Sequence, residues 1–247
     1  MRSPRVHYLR IADALRLQVE GMPPTSLLPT EHQLAREFRV SRLTIRQALQ
    51  LLEGAGLVSK QRGRGTIVSP PKIVRHWSPI ATLEEDIQRQ GVRLETRFLE
   101  YKREAMPSPA LRRRLGLDPD ALVDILTVLR LGDGRILCYD RRSFASAIGP
   151  VDPLRIEHQP VLEILRERTG MSACTVSWEA EIVPSSTEVA EALRIKPGVL
   201  VVQTLGTAHL QDGSAIECVD SYYRVDHVKF QFEGQYVIGS PPGAASS

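Results

Sequence analysis

Residues 28–68 read LPTEHQLAREFRVSRLTIRQALQLLEGAGLVSKQRGRGTIV, and the order of local signals in that stretch decides what the first part of the chain becomes. Thr30 suits a helix N-cap, and Gln33 three residues later completes a capping-box pattern, so a helix opens there and runs through Phe38. Ser41 caps a second helix, in which Ile45, Ala48, Leu49 and Leu52 recur at helical spacing and define one buried face. Only Arg39 and Val40 separate the two. Gly54 and Gly56 stop the second helix near Glu53. Residues 57–60 and 66–69 then read as two short strands around the basic turn Gln61-Arg62-Gly63-Arg64-Gly65. The proportions are those of a helix-turn-helix followed by a small basic wing.

The polar side of the second helix starts with Arg42, Leu43 and Thr44 and continues with Arg46 and Gln47. A helix N-terminus attracts phosphate through its free N–H groups, and a guanidinium fork pairs with guanine or with phosphate oxygens. In the wing, Gly63 and Gly65 let the backbone turn tightly and approach a groove, while Arg62 and Arg64 supply charge. Arginines on an amphipathic helix are ordinarily a solvated face, and a helix pair alone is a weak filter. The wing, in the right order and equally basic, turns the reading toward DNA.

These residues closely resemble the DNA-binding domain of the GntR family of bacterial transcription regulators, whose pattern is approximately LPSERELAxxxGVSRxTVRxALxxLxxxGLxxxxxGxGTFV. The likeness spans nearly all of residues 28–68. It implies that Arg42, Thr44 and Arg46 are the recognition-helix contacts and that Gly63 and Gly65 are the wing glycines. His32 is a departure, because the family commonly has at that position an arginine that touches DNA.

Outward from this stretch, residues 5–20 read as a helix with Tyr8, Ile11, Ala12, Leu15 and Val19 facing the winged unit. Of the 247 residues, the first 70 hold 11 Lys+Arg against 5 Asp+Glu, although the whole chain is only +3. A polyanionic partner is therefore expected at one end only. Cys138, Cys174 and Cys218 are odd in number and too widely spaced for a zinc motif, which suggests reduced thiols in a cytoplasmic protein. Neither a charged leader nor an apolar run approaching 18 residues is present, so a soluble, non-exported protein is expected. Ser69-Pro70-Pro71-Lys72 reads as a semi-rigid linker. The expected division is a DNA-binding domain over 1–69, a linker over 70–76, a second domain over 77–234 and a disordered small-residue tail over 235–247.

The second domain reads as α+β. Residues 82–90 form a helix with Thr82 as N-cap, ended by Gly91, and residues 96–103 form a strand. A helix at 110–115 leads to a hairpin, 121–131 and 136–144, turning at Asp133-Gly134. The same helix-hairpin order returns over 184–223, with Leu193, Pro197 and Asp212-Gly213 matching Leu115, Pro119 and Asp133-Gly134. Two such copies suggest a pseudo-symmetric domain around one antiparallel sheet, with a helix at 161–169 between them.

This half shows no phosphate loop, nucleophile elbow or paired metal-ligating histidines, so neither an enzyme nor a metal or cofactor is indicated. Side chains alternate along a strand, which puts Glu217, Val219, Ser221 and Tyr223 on one face and Cys138, Asp140 and Arg142 on another, with Arg130 in the preceding strand. Such strands are either an ordinary polar sheet face or, if both hairpins line one cleft, the wall of a site for a polar, anionic small molecule. Residues 77–233 also resemble the effector-sensing UTRA domain of the HutC subfamily, with a chorismate-lyase-like fold. The likeness rests on Thr82-Leu83-Glu84-Glu85, on RLGDGRILCYDRRSF, and on Glu217 through Arg224 with Asp226. It implies an effector held by Asp140, Glu217, Ser221, Tyr223 and Arg130, with the helix start at Thr82 and Leu83 receiving a phosphate. Two features of the sugar-phosphate sensors, a second arginine at the place of Val128 and a serine-aromatic pair near 159–162, are absent. The combined expectation is a homodimeric repressor on inverted-repeat operator DNA, modulated by a small molecule. An enzyme on a lyase-like scaffold and a DNA-binding protein without effector are the rival readings.

Overall fold

The computed structural model describes residues 4–61, 63–76, 83–146, 149, 152–156, 159, 161–170 and 175–232. Helix α1 (Pro4–Glu20) precedes α2 (Glu31–Glu37) and α3 (Arg42–Gly54). The capping box forms as expected: Thr30 Oγ1 accepts from the Gln33 amide at 3.3 Å and Gln33 Oε1 accepts from the Thr30 amide at 2.8 Å. Arg39, at φ +52°, makes the turn between α2 and α3. Ser41 Oγ then accepts from the Thr44 amide at 3.2 Å and starts α3. Ile45, Ala48, Leu49 and Leu52 meet Ile11, Leu15 and Val19 of α1 and Leu34 of α2 in one core. Ile45 and Leu52 are fully enclosed, a burial worth about 1.5–3 kcal/mol for each side chain. The wing is the antiparallel pair β1 (Val58–Gln61) and β2 (Gly65–Val68), with Val58 opposite Val68 and Gln61 opposite Gly65. Leu27 adds a bridge to Ile67 on its outer edge.

The stretch expected as a linker divides. Residues 70–72 carry no regular structure, but Ile73–His76 form β3, which pairs in parallel with β10 (Val228–Gln231) at the far end of the chain. Ile73 and Arg75 of this strand point inward and are buried. Four residues after two prolines carry too little pattern to announce a strand whose partner is more than 150 positions away.

Between these strands run α4 (Leu83–Arg89), β4 (Leu94–Ala105), α5 (Pro109–Leu115), β5 (Val123–Gly132), β6 (Arg135–Ala145), α6 (Pro153–Ile156), α7 (Val161–Thr169), β7 (Thr175–Pro184), α8 (Thr187–Leu193), β8 (Leu200–His209) and β9 (Ala215–Arg224). The strands form one antiparallel six-stranded sheet in the order β4-β5-β6-β9-β8-β7. The internal repeat is therefore larger than the sequence suggested, because each copy is strand-helix-hairpin and the copies meet at the β6–β9 pair. Strand β7 was not expected; as an edge strand it is mostly exposed and carries little apolar pattern. Asp133 and Gly134 both take positive φ, +48° and +75°, the signature of a two-residue type I′ turn. The expected tail at 235–247 lies outside the described residues. No helix among the described residues is long and apolar enough to cross a membrane.

Register sorts the sheet into two faces. Arg130 lies opposite Cys138, Val128 opposite Asp140, Asp140 opposite Ser221 and Ser221 opposite Thr204, so these side chains share one face with Arg142, Glu217 and Tyr223. Helix α4, β3 and β10 cover one end of that face, with Leu83, Ile87, Cys138 and Tyr223 in a common cluster. Helices α6 and α7 cover the other end through Ile156, Ile164 and Leu165 against Leu126 and Phe144. The remaining face is covered by α5 and α8.

Candidate functional site

Two groups of residues stand out, one on the winged unit and one on the sheet. On the first, α3 projects Arg42 and Arg46 with side chains 62% and 50% exposed, and Lys60 of the wing is 63% exposed beside them. All three converge on Glu31 in the first turn of α2: Arg46 Nη2 at 3.1 Å, Lys60 Nζ at 3.3 Å and Arg42 Nη2 at 3.8 Å. The hydrogen bond from Arg46 holds the Glu31 carboxyl below the usual carboxylate range. Thr44 Oγ1 lies 2.8 Å from Ser41 Oγ, which fixes its hydroxyl at the start of α3. Leu43 is 63% exposed beside Arg42, an apolar group left in water at the start of α3. His32 is exposed in the first turn of α2. Gly63 and Gly65 adopt φ +77° and +105°, and a Cβ on Gly65 would come to 3.2 Å from Leu27 Cδ1. Arg64 is exposed, and its Nη1 donates to Gln61 Oε1 at 3.4 Å. Arg62 lies outside the described residues. The group is thus a convex, basic surface whose cations are gathered by one carboxylate and stay in water.

The second group is buried. Arg130, Asp140, Thr204, Glu217 and Ser221 are each at most 5% exposed, on one face of the sheet. Arg130 donates to Glu84 of α4 through Nη2. Arg142 Nη1 lies 3.1 Å from Glu217 Oε1 as an ion pair. Yet Arg130 Nε, Arg142 Nε, Asp140 Oδ1, Thr204 Oγ1 and Glu217 Oε1 all lack a hydrogen-bond partner. Each such orphan costs about 1–3 kcal/mol, and native interiors rarely leave several of them side by side. Burial pushes the Glu217 carboxyl upward, against the pull of Arg142. Unpaired donors and acceptors gathered on one face can be satisfied by ordered water or by a small molecule rich in both.

Of the other residues expected here, Tyr223 is buried, packs edge-on to Phe230 at 5.0 Å between ring centres, and bonds Arg75. Leu83 packs its side chain in the core with Ile87, Cys138 and Tyr223. Thr82 lies outside the described residues. Four neighbours were not assigned from sequence: Glu84, Arg142, Thr204 and Trp178, whose ring stacks where a Cβ of Gly206 would be. Strand alternation put Arg142 on the face of Asp140, although it was not named as an effector contact. Thr204 sits in an ordinary polar strand and Glu84 on an acidic helix, and neither is distinguishable without the tertiary contacts.

Charged residues also line a groove of about 570 Å³ on the other face, among them Arg114, Arg141 and Asp220 beside α5. There Arg114 pairs with Glu179 at 2.9 Å and Arg141 with Glu188, and Asp220 accepts from Gln203 Nε2 at 2.8 Å. That contrast favours the face with orphaned atoms. Cys138 and Cys218 are free and buried, and Cys174 lies outside the described residues. Among the described residues no cluster of His, Cys, Asp and Glu could hold a metal.

Helix α4 also joins this face to the start of the second unit. Asp86, fully buried, accepts from the Arg75 guanidinium and from the His76 amide at 3.1 Å. Gln90 bridges both backbone groups of Val74, at 2.8 and 2.7 Å. Strand β3 in turn leads back to the winged unit, where Gly56 lies so close against the Asp226 backbone that no Cβ fits.

Residues 7–68 match the bacterial regulatory proteins of the gntR family, and residues 89–229 match the UTRA domain. The chain is 27% identical over 231 residues to the HTH-type transcriptional repressor NagR of Bacillus subtilis (strain 168), covering 92% of this chain and 94% of that one. It is 36% identical over 191 residues to the HTH-type transcriptional repressor STM4068 of Salmonella typhimurium, covering 73% and 75%. The fold is shared with the crystal structure of PhnF from Mycobacterium smegmatis, at a TM-score of 0.63 and 24% identity over 91% of this chain and 98% of that one.

Proposed function

The chain belongs to the bacterial gntR regulatory family and carries its UTRA domain, and from that membership we propose that it is a homodimeric repressor released from, or fixed on, an inverted-repeat operator by a polar, anionic effector. It is a DNA-binding transcription regulator whose operator binding is modulated by a small molecule. The family is one of regulators, and no turnover is assigned to this chain. The division proposed is a DNA-binding part over 1–69, a connection at 70–76 and an effector part over 77–234, acting in the cytoplasm.

Arg42, Thr44 and Arg46 are read as the groove contacts, with Arg64, Gly63 and Gly65 of the wing, and Arg62 and His32, on the backbone or the adjacent groove. Pairing through the effector part follows from symmetry: one winged unit reads too few base pairs for useful specificity, and two related units read a palindrome with half-sites about one helical turn apart. The observation that carries the effector reading is the set of orphaned polar atoms on Arg130, Arg142, Asp140, Thr204 and Glu217. Ser221 and Tyr223 flank them on the same strand.

The experiment is a thermal-unfolding screen of the full chain against sugar phosphates, amino-acid catabolites and phosphonates. The matching ligand should stabilise by roughly 2.7 kcal/mol at a hundredfold excess over its Kd. It should also change operator affinity, and Glu217→Gln should abolish that response with DNA binding intact. Equal operator affinity with and without a stabilising ligand would sink the sensor reading.

A further inference from the structure

The sheet-face site holds two guanidiniums, Arg130 and Arg142, against three carboxylates, Glu84, Asp140 and Glu217. An oxyanion added to that set meets an excess of negative charge, which is relieved if one carboxylate leaves. The three differ in how easily they can do so. The Glu217 side chain is 3% exposed, and Asp140 is 5% exposed, both on central strands of the sheet. Uncovering either one means dismantling the sheet's packed face. Glu84 is instead on a short helix at the site's rim, its side chain is 33% exposed, and water can take over its charge as it turns out. Its partner Arg130 is 5% exposed and keeps an unpartnered Nε, so a guanidinium that loses Glu84 needs another acceptor at once. Removing one partner of a buried pair without replacement is strongly unfavourable.

We propose that Glu84 is a built-in occupant of the effector arginine, holding Arg130 until an effector with a carboxylate, phosphate or phosphonate group takes its place. This rests on reading the sheet face as the effector site, and it adds the ligand's charge class and the element that responds. The exchange is of one acceptor for another on Arg130: the ligand oxyanion receives the Nη2 and Nε donors, and Glu84 passes into solvent. Besides Arg142 Nε, a donor that calls for a further acceptor, the remaining orphans, Asp140 Oδ1, Glu217 Oε1 and Thr204 Oγ1, are acceptors or a hydroxyl. They call for N–H or O–H donors elsewhere on the same molecule. The effector class is therefore an oxyanion that also carries hydroxyl or ammonium groups. Losing the Glu84 tether leaves α4 with its polar bonds from Asp86 and Gln90 to β3 and the apolar packing of Leu83 and Ile87 on the sheet. The exchange thereby removes the ion pair between α4 and the sheet and keeps the polar bonds of α4 to the strand nearest the winged unit.

The test uses the full chain and inorganic phosphate as the probe, at constant ionic strength, with isothermal titration calorimetry. Glu84→Ala should bind phosphate about tenfold more tightly than the unaltered chain, within the usual range of coupling between competing interactions. The gain should vanish when Arg130→Lys is added, because the ammonium lacks the fork that receives an oxyanion bidentately. Equal phosphate affinity in the unaltered chain and in Glu84→Ala overturns the proposal, as does a gain that survives Arg130→Lys. A second readout needs no variant: in the unaltered chain, saturating phosphate should speed amide hydrogen exchange in α4. Slower or unchanged exchange there at saturation counts against the exchange of acceptors. If a screened effector stabilises the chain and Glu217→Gln abolishes its action while these tests fail, the sensor reading stands and the Glu84 proposal falls. If no effector is found yet phosphate behaves as stated, the competition of Glu84 with an oxyanion for Arg130 stands and the effector role of that face falls.

Discussion

Glu31 and Glu84 each sit on arginines that a ligand is expected to use, but one does so on a wet surface and the other at the rim of a buried face. Around Glu31, the side chains of Arg42, Arg46 and Lys60 are half or more exposed. Ion pairs of that kind are worth about 0–1 kcal/mol, so the phosphates of a duplex can draw the cations away at little cost. Around Glu84, Arg130 is enclosed and its charge cannot be left to water. The same pairing chemistry therefore gives a pre-arranged contact surface in one place and an exchange site in the other. Burial, and not residue type, sets which.

The comparison breaks most visibly at the buried arginine. Arg130→Met should destabilise the fold by about 3–5 kcal/mol in urea or thermal unfolding, since it leaves the buried Asp140 without its neighbouring cation. A loss below about 1 kcal/mol would mean that the face is already hydrated and that the two glutamates are alike. Arg46→Ala, in contrast, should leave stability within about 1 kcal/mol and instead cost about 1–3 kcal/mol on operator DNA, measured by fluorescence anisotropy. Arg64→Ala should weaken all DNA sequences similarly and reduce the slope of affinity against salt by about one.

Gly56 sharpens the comparison at the junction of the two parts. It adopts φ +76° and faces the Asp226 backbone, so Gly56→Ala meets both backbone strain and a direct clash. About 1–3 kcal/mol of destabilisation is expected, accompanied by a weaker effect of effector on operator affinity. Unchanged stability and unchanged coupling would remove this contact from the route between the two sites.

The smallest effect expected is one of pH. Burial lowers the pKa of His227, whose Nδ1 donates to the Ile136 carbonyl at 2.7 Å. A histidine depressed in the fold is neutral there and takes up its proton on unfolding. Its stabilising contribution is complete above the unfolded pKa near 6.5 and is lost as pH falls from there through the folded value. His227→Gln should flatten the decline in unfolding free energy between about pH 7 and pH 5. The same decline in the variant would assign it to other groups.

Much of the winged unit was legible because its signals are local. Thr30 with Gln33, Ser41, the Ile45-Ala48-Leu49-Leu52 stripe and the wing glycines each act within a few residues, and all appear where expected. The Asp133-Gly134 hairpin and the repeated helix-hairpin order were legible for the same reason, since the type I′ turn and the period-2 alternation are written in adjacent residues. The alternation also placed Arg130, Asp140, Glu217 and Ser221 on sheet faces, though it left open whether both hairpins shared one. What the sequence alone determined is therefore a basic winged unit, a doubled α+β unit and a short list of polar strand residues. Only the tertiary structure decided that β6 pairs with β9 so that these residues converge, that β3 closes on β10 across the chain, and that Glu84 rather than solvent meets Arg130. The physical reason is range: caps, turns and periodicity are set by neighbours within a few positions, whereas burial and ion pairing depend on which distant surfaces the packed core brings together.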